Sequence, residues 1–359
     1  MRRMHAVVVS IVMLAVWSVA QTPTSSTYVV GTCKPTLPSY KTISAALAAV
    51  PAPVTVQVCP GTYPEQIVIT QPVTLEGITN GNAGQVVVQT PAGGWTSYPN
   101  SLGTLVAPEL FAGNVSGQVN ISDITFDMTY APASAIYSSG IFYQNSSGTV
   151  NYVTVRSGIL TPTTFGVIAE GGSSNPVVTI QNSSFHDLTW YGIWAETSAF
   201  ENSMLTANVK SNYIYNIPSG ILLDVGSTSL VSSNQVTGTA VAIFASPGAA
   251  GSITSNTVFG SNIGVLTYAD GVPVTSNKFV NPSEGILVAS SVASIQSNTV
   301  VGAMGAGIDF NCSANPNVKS NFINDTGIAL NNVPSSTATN NNYYNVSSIV
   351  SNGSCPKAR

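Results

Sequence analysis

The chain has 359 residues, 14 acidic side chains against 10 basic ones, and a net charge of −4. Nothing in it could neutralise a run of phosphates, which excludes a nucleic-acid surface. With 7% charged and 44% apolar residues, the polar surface must come from Ser, Thr and Asn and the core from Val, Ile and Ala; this suits many short strands joined by tight turns.

Residues 1–20 read as a signal peptide. Arg2 and Arg3 precede an apolar run from Ala6 to Ala20, and Ser18-Val19-Ala20 offers the small residues of a cleavage site before Gln21. The run is short for a bilayer span of roughly 20 residues, so the mature chain is expected to be secreted or otherwise extracellular or periplasmic, without a membrane span. Loss of both arginines leaves eight bases against fourteen acids, a net charge of −6.

Residues 21–60 form an N-terminal cap. Tyr40, Ile43, Leu47 and Val50 are spaced as on one face of a helix, with Ser39 as its expected N-cap and Pro51 as its stop. Such a helix would hide the open end of whatever follows.

Residues 61–345 carry a repeat. VKSNYI, VSSNQV, ITSNTV, VTSNKF, IQSNTV and VKSNFI place asparagines at 212, 234, 256, 277, 298 and 321, in steps of 21 to 23. A second ladder lies between them: Gly220-Ile221, Ala242-Ile243, Gly264-Val265, Gly285-Ile286, Gly307-Ile308 and Gly327-Ile328. A unit of about 22 residues holds three short strands and three turns and cannot bury its own apolar face, so units must stack. The expected fold is therefore all-β: a right-handed parallel β-helix of one chain, with a short N-terminal capping helix. The asparagines should line one turn, bonding to their neighbours above and below and taking up its left-handed backbone. Val265, Ile286, Ile308 and Ile328 should form one buried row. Gly140-Ile141, Gly166-Val167 and Gly192-Ile193 extend the phase with wider steps of 26 to 28 residues, whose extra residues are expected in turns. Residues 346–359 are a C-terminal tail or cap.

Four cysteines in an exported chain suggest two disulfides. Cys33–Cys59 and Cys312–Cys355 are the local pairings, one near each end, although four cysteines can pair in three ways.

Strand alternation sorts the side chains that leave the core. On the strand beginning at Gly-Ile, hereafter the first strand, one outward row reads Phe142, Ile168, Trp194, Leu222, Phe244, Leu266 and the other Gln144, Glu170, Glu196, Asp224, Ser246, Tyr268. Glu170, Glu196 and Asp224 thus fall on three successive coils about 4.8 Å apart, and mutual repulsion should raise at least one pKa. Such carboxyls can perform acid–base work on a glycoside, hold a calcium ion, or stand as solvated acids. Trp194, Tyr191 and Trp190 lie beside Glu196 as candidates to stack on a sugar. The third strand, which follows the asparagine, presents Asp127, Arg156, His186 and Tyr215. Arg156 can pair with Asp127 or hold a uronate, and His186-Asp187 can supply a base.

The segment PSYKTISAALAAVPAPVTVQVCPGTYPEQIVITQPVTLEG resembles the opening of pectinesterases and NosD-like proteins of the pectin-lyase-like superfamily. That resemblance implies the β-helix fold. The Gln-Asp-Thr, Asn-Thr-Asp, Gly-His-Gly and Arg-x-Pro-x-x-Arg signatures of the superfamily's enzymes are absent, so no activity is inherited. Two functions follow: a polysaccharide-acting protein, with Glu170, Glu196, Asp224, Arg156 and His186 as candidate catalytic residues, hydrolysis ahead of elimination; or a non-catalytic surface protein that binds glycans or cells. A polysaccharide or glycan partner and a monomeric state are expected.

Overall fold

The computed structural model describes residues 26–52, 54–79, 85–130, 137–158, 163–197, 204–290, 292–310, 315–333 and 335–351. The signal segment and the Cys312–Cys355 pairing lie outside these residues.

Each coil contributes three strands, and like strands stack in parallel. In one coil Ala250–Thr254 is the second strand, Thr257–Phe259 the third and Ile263–Thr267 the next first strand. First strands align Ile221, Ile243, Val265, Ile286 and Ile308 in one row, and second strands align Val231, Ile253, Val274, Ile295 and Val318. All ten side chains are fully buried. No coil could gain this alone, since each aliphatic side chain needs the coils above and below to gain the roughly 1.5–3 kcal/mol of full burial.

The register also holds across the wide steps. Ile141 pairs with Val167, Val167 with Ile193 and Ile193 with Ile221, so the extra residues sit outside the strands. The glycines of the ladder are needed because neighbouring coils approach closely: a Cβ on Gly166 would stand 2.2 Å from the Gly192 carbonyl oxygen, and one on Gly285 2.4 Å from that of Gly307. The last coil departs from the expected row. Ile308 pairs with Leu330, and Ile328 pairs with Ala306 and is half-buried. The Gly-Ile pair has slipped by two residues, which preserves strand alternation and so keeps Leu330 facing inward.

The asparagine ladder is continuous. Each Nδ2 donates to the next Oδ1, from Asn212 through Asn234, Asn256, Asn277, Asn298 and Asn321 to Asn341, at 2.9–3.1 Å. The left-handed residue of the turn is not the asparagine but the serine before it: Ser211, Ser233, Ser255, Ser276, Ser297 and Ser320 all have φ between 56° and 59°. The asparagines keep ordinary backbone and lock the turn with their buried amides.

The N-terminal end is built from the segment that carries the family resemblance. Strand Ser26–Val30 pairs with Val54–Val58, and Cys33 is bonded to Cys59. The capping helix runs Ile43–Ala49 with Thr42, not Ser39, as its N-cap. Ser39 and Tyr40 pair with Val29 and Val30 instead; that short strand delays the helix by one turn. Glu65 of the Pro-Gly-Thr-Tyr-Pro-Glu turn accepts from the Ile43 and Ser44 amides at 2.8 Å each. Those orphan helix donors explain why an acid stands there. At the other end, parallel pairing runs through Asn342–Ser351. Among the described residues no helix is long and apolar enough to cross a membrane.

Candidate functional site

The outward carboxyl row forms as strand alternation requires. Gln144 pairs with Glu170 and Glu170 with Glu196, while Asp224 follows Leu223, the partner of Ala195, and its amide donates to the Ala195 carbonyl at 2.8 Å. No bulge turns any of the three inward.

Glu170 and Glu196 are not open to solvent. A turn around residues 98–104 folds over the first-strand sheet, and Tyr98 and Pro99 pair antiparallel with Val106 and Leu105. Asn100 Oδ1 accepts from the Leu102 and Thr104 amides, which closes the turn. Beneath it lies a second apolar cluster, outside the helix core, of Val106, Phe111, Phe142, Phe165 and Ile168; Tyr98 stacks on Phe111 with ring centroids 3.7 Å apart. The roof reaches the acids directly. The Ser101 amide donates to Glu170 Oε2 at 2.9 Å and Asn100 Nδ2 to Glu196 Oε1 at 3.3 Å. Glu170 retains 4% exposure and Glu196 2%.

Burial dominates the protonation of both. Desolvation, then repulsion from Glu170 and Asp224, pushes Glu196 up to about 8, so it is protonated at neutral pH. Desolvation raises Glu170 as well, opposed by hydrogen bonds from Ser101 and Gln144. Asp224 is half-exposed and accepts from the Val225 amide.

Of the two buried acids, Glu170 meets an opening. It lines a polar cleft of about 380 Å³ with Ser101, Asn114, Gln144, Asn145 and Ser173. Gln144 Nε2 bridges the Pro99 carbonyl and Glu170 Oε1, and Asn145 Nδ2 donates to Asn114. Gln144 stood in the outward row read from the sequence, but nothing there marked it as part of a cleft. Asn100 and Ser101 carried only a turn signal. A larger cavity, about 590 Å³, lies elsewhere, where Gly158, Asp187, Asn216, Pro218 and Gly238 turn between third and first strands. It is an open notch left by turn glycines and touches none of the three acids.

The aromatic candidates divide. Trp194 points outward but packs at 5.4 Å on Phe165 and near Tyr191, and its Nε1 has no partner. Trp190 is 50% exposed, edge-on to Tyr191.

Arg156 and His186 belong to another face. On the third strand Asp127, Arg156, His186 and Tyr215 align in register. Arg156 Nη2 lies 2.9 Å from Asp127 Oδ2, His186 bonds Asp187 at 2.7 Å, and His186 stacks on Tyr215 with centroids 4.7 Å apart. Burial pulls the Asp127 pKa up, but hydrogen bonds from Thr129 and Arg156 outweigh it and hold it below the usual range. Behind this pair sits Glu109, a fully buried acid absent from the sequence reading. It occupies the ladder's glycine slot one coil below Gly140, and desolvation first, then Asp127, hold it well above the usual range. These residues form a structural ion-pair network, separate from the carboxyl row.

The family model for a right handed beta helix region matches residues 139–299. The chain is a right-handed parallel β-helix. Its fold is pectin-lyase-like, shared with solved structures at low identity. A GH136 lacto-N-biosidase from Eubacterium ramulus superposes with TM-score 0.60 at 9% identity, over 90% of this chain and 68% of that one. A mutant tailspike protein of E. coli bacteriophage HK620 in complex with hexasaccharide gives 0.54 at 13%, over 91% and 66%. The A-module of Azotobacter vinelandii mannuronan C-5 epimerase AlgE6 gives 0.52 at 15%, over 86% and 90%. No curated protein sequence matches this β-helix.

Proposed function

We propose that this β-helix is a secreted protein that holds a glycan in the cleft beside Glu170. The observation that carries the reading is the lining: amides of Asn114, Gln144 and Asn145, the hydroxyl of Ser173, and one carboxyl, gathered beside Ser101. Such donors and acceptors match the hydroxyls of a sugar; Gln144 and Glu170 end first strands, and the others stand in the turns beside them, tied by the bonds from Asn145 to Asn114 and from Ser174 to Asn145. The fold neighbours point the same way by their names, a biosidase, an epimerase and a tailspike bound to a hexasaccharide.

A second reading, hydrolysis, is favoured by the juxtaposition of Glu170 with a protonated Glu196, the two acids a glycosidase needs. It requires the turn carrying Asn100 to lift, because Glu196 is sealed beneath it.

Binding of the mature protein to an oligosaccharide array, followed by calorimetry, tests the first reading. Gln144→Ala is expected to weaken binding at least tenfold, and unchanged binding would reject the cleft. Release of reducing ends from the bound glycan, lost in both Glu170→Gln and Glu196→Gln, would establish hydrolysis; no release would leave a binding protein.

A further inference from the structure

We propose that the first-strand face selects uncharged glycans and excludes polyuronates. The inference rests on the glycan-binding reading above and names its substrate class.

It follows from where the charges lie. Glu170, Glu196, Asp224, Glu284 and Asp309 all stand on this face; Glu196 is protonated and sealed beneath the turn carrying Asn100, which leaves Glu170, Asp224, Glu284 and Asp309 to set its charge, and the strands that build it contain no lysine, arginine or histidine. The described basic residues are elsewhere. Lys34 and Lys41 belong to the N-terminal cap, Lys210 and Lys319 to second strands, and Lys278 and Arg156 to third strands. Arg156, the one arginine among the described residues, is already paired with Asp127. In sequence, segments 131–136, 159–162 and 198–203, which belong to the longer coils, add no base and one further acid, Glu201.

A polyuronate laid along the sheet would bring its carboxylates near Glu170, Asp224, Glu284 and Asp309 with no counter-charge. A bridging cation would need several free oxygens. Yet both Glu170 oxygens and one of Glu196 already accept hydrogen bonds from Ser101, Gln144 and Asn100, and among the described residues no three His, Cys, Asp or Glu side chains gather as a metal site. The same engagement argues against an amine-bearing glycan, which would need an unencumbered carboxylate in the cleft. Between the acids the outward row is apolar and half-exposed: Phe244, Leu266 and Leu287 in register. That strip suits the C–H faces of neutral pyranose rings.

The test uses the mature full-length chain on an array of neutral, uronate-containing and amine-bearing oligosaccharides, read once with calcium and once with EDTA. Neutral glycans should bind at least tenfold more tightly than uronates in both conditions. The double substitution Glu284→Lys with Asp309→Lys should raise retention of polygalacturonate at low salt. Uronate binding equal to neutral binding, with or without calcium, would overturn the selectivity while sparing the glycan reading, as would preference for amine-bearing sugars. Binding to no glycan at all would reject both.

Discussion

Glu196 keeps its proton to about pH 8 in the folded chain, whereas an unfolded glutamate loses it near its ordinary value. Between those two points the folded state binds more protons, so stability falls as pH rises through the window and levels off above it. For a side chain this buried the loss is on the order of a few kcal/mol. Urea midpoints at pH 5 and pH 9 should therefore differ, with the parent weaker at pH 9, and Glu196→Gln should remove most of the difference because the amide mimics the protonated acid. An equally steep decline in that variant would assign the effect to Glu170, whose shift has the same sign. Arg156 acts in the opposite sense: it keeps Asp127 ionised beside the buried Glu109. Arg156→Ala should cost about 1–2 kcal/mol, discounted from the buried-pair range because the arginine side chain is 42% exposed; urea denaturation at pH 7 measures it. At this scale the sequence was informative about direction and silent about cover. Alternation alone placed Glu170 and Glu196 outward. Nothing in the local pattern ties Asn100 to a residue 96 positions away, so the roof and the cleft it borders could not be read.

Among the elements, the serine–asparagine turn shows why a repeat is more legible than a cap. The asparagines recur because each buried amide oxygen accepts from the asparagine beside it. Asn256 Oδ1 accepts from both the amide and Nδ2 of Asn234, and its own Nδ2 donates to Val231 and Asn277. Asn256→Ala strands two buried donors on Asn234, at about 1–3 kcal/mol each, and a loss of about 3 kcal/mol or more in urea unfolding is expected. Ser255, at φ 57°, holds a conformation that costs a non-glycine residue roughly 1–2 kcal/mol. Ser255→Gly should thus be neutral or mildly stabilising, the reverse of the change next door, and an equal loss at both positions would contradict the division of labour between them. The helix cap and the last coil lacked such repetition. Ser39 and Thr42 are both competent caps, and only the pairing of Ser39 and Tyr40 with the first strand decides between them. The slip at Ile328 likewise depends on a single coil, with no neighbour in the sequence to fix its register.

The whole molecule is a stack in which each coil, apart from the turn at residues 98–104 that spans several of them, touches those beside it, so the position of a lesion should set how far its effect spreads. Cys33–Cys59 closes a separation of 26 residues at the N-terminal end, and removing such a link typically costs about 2–4 kcal/mol. Its reduction should loosen Ser26–Val30, the capping helix and Val54–Val58, and leave the central coils intact, because no described strand beyond Val73–Gly77 pairs with these elements. Ile286 sits instead mid-stack, fully buried between Val265 and Ile308. Ile286→Asp places an unpaired carboxylate there, a change that must either protonate the acid or open the coil. Hydrogen exchange read by mass spectrometry separates the two. Faster exchange after reduction should be confined to residues before about 80, whereas Ile286→Asp should accelerate exchange in coils on both sides of residue 286 or prevent folding altogether. Global acceleration on reduction would mean that the N-terminal cap, and not the stacked core, governs the stability of the helix.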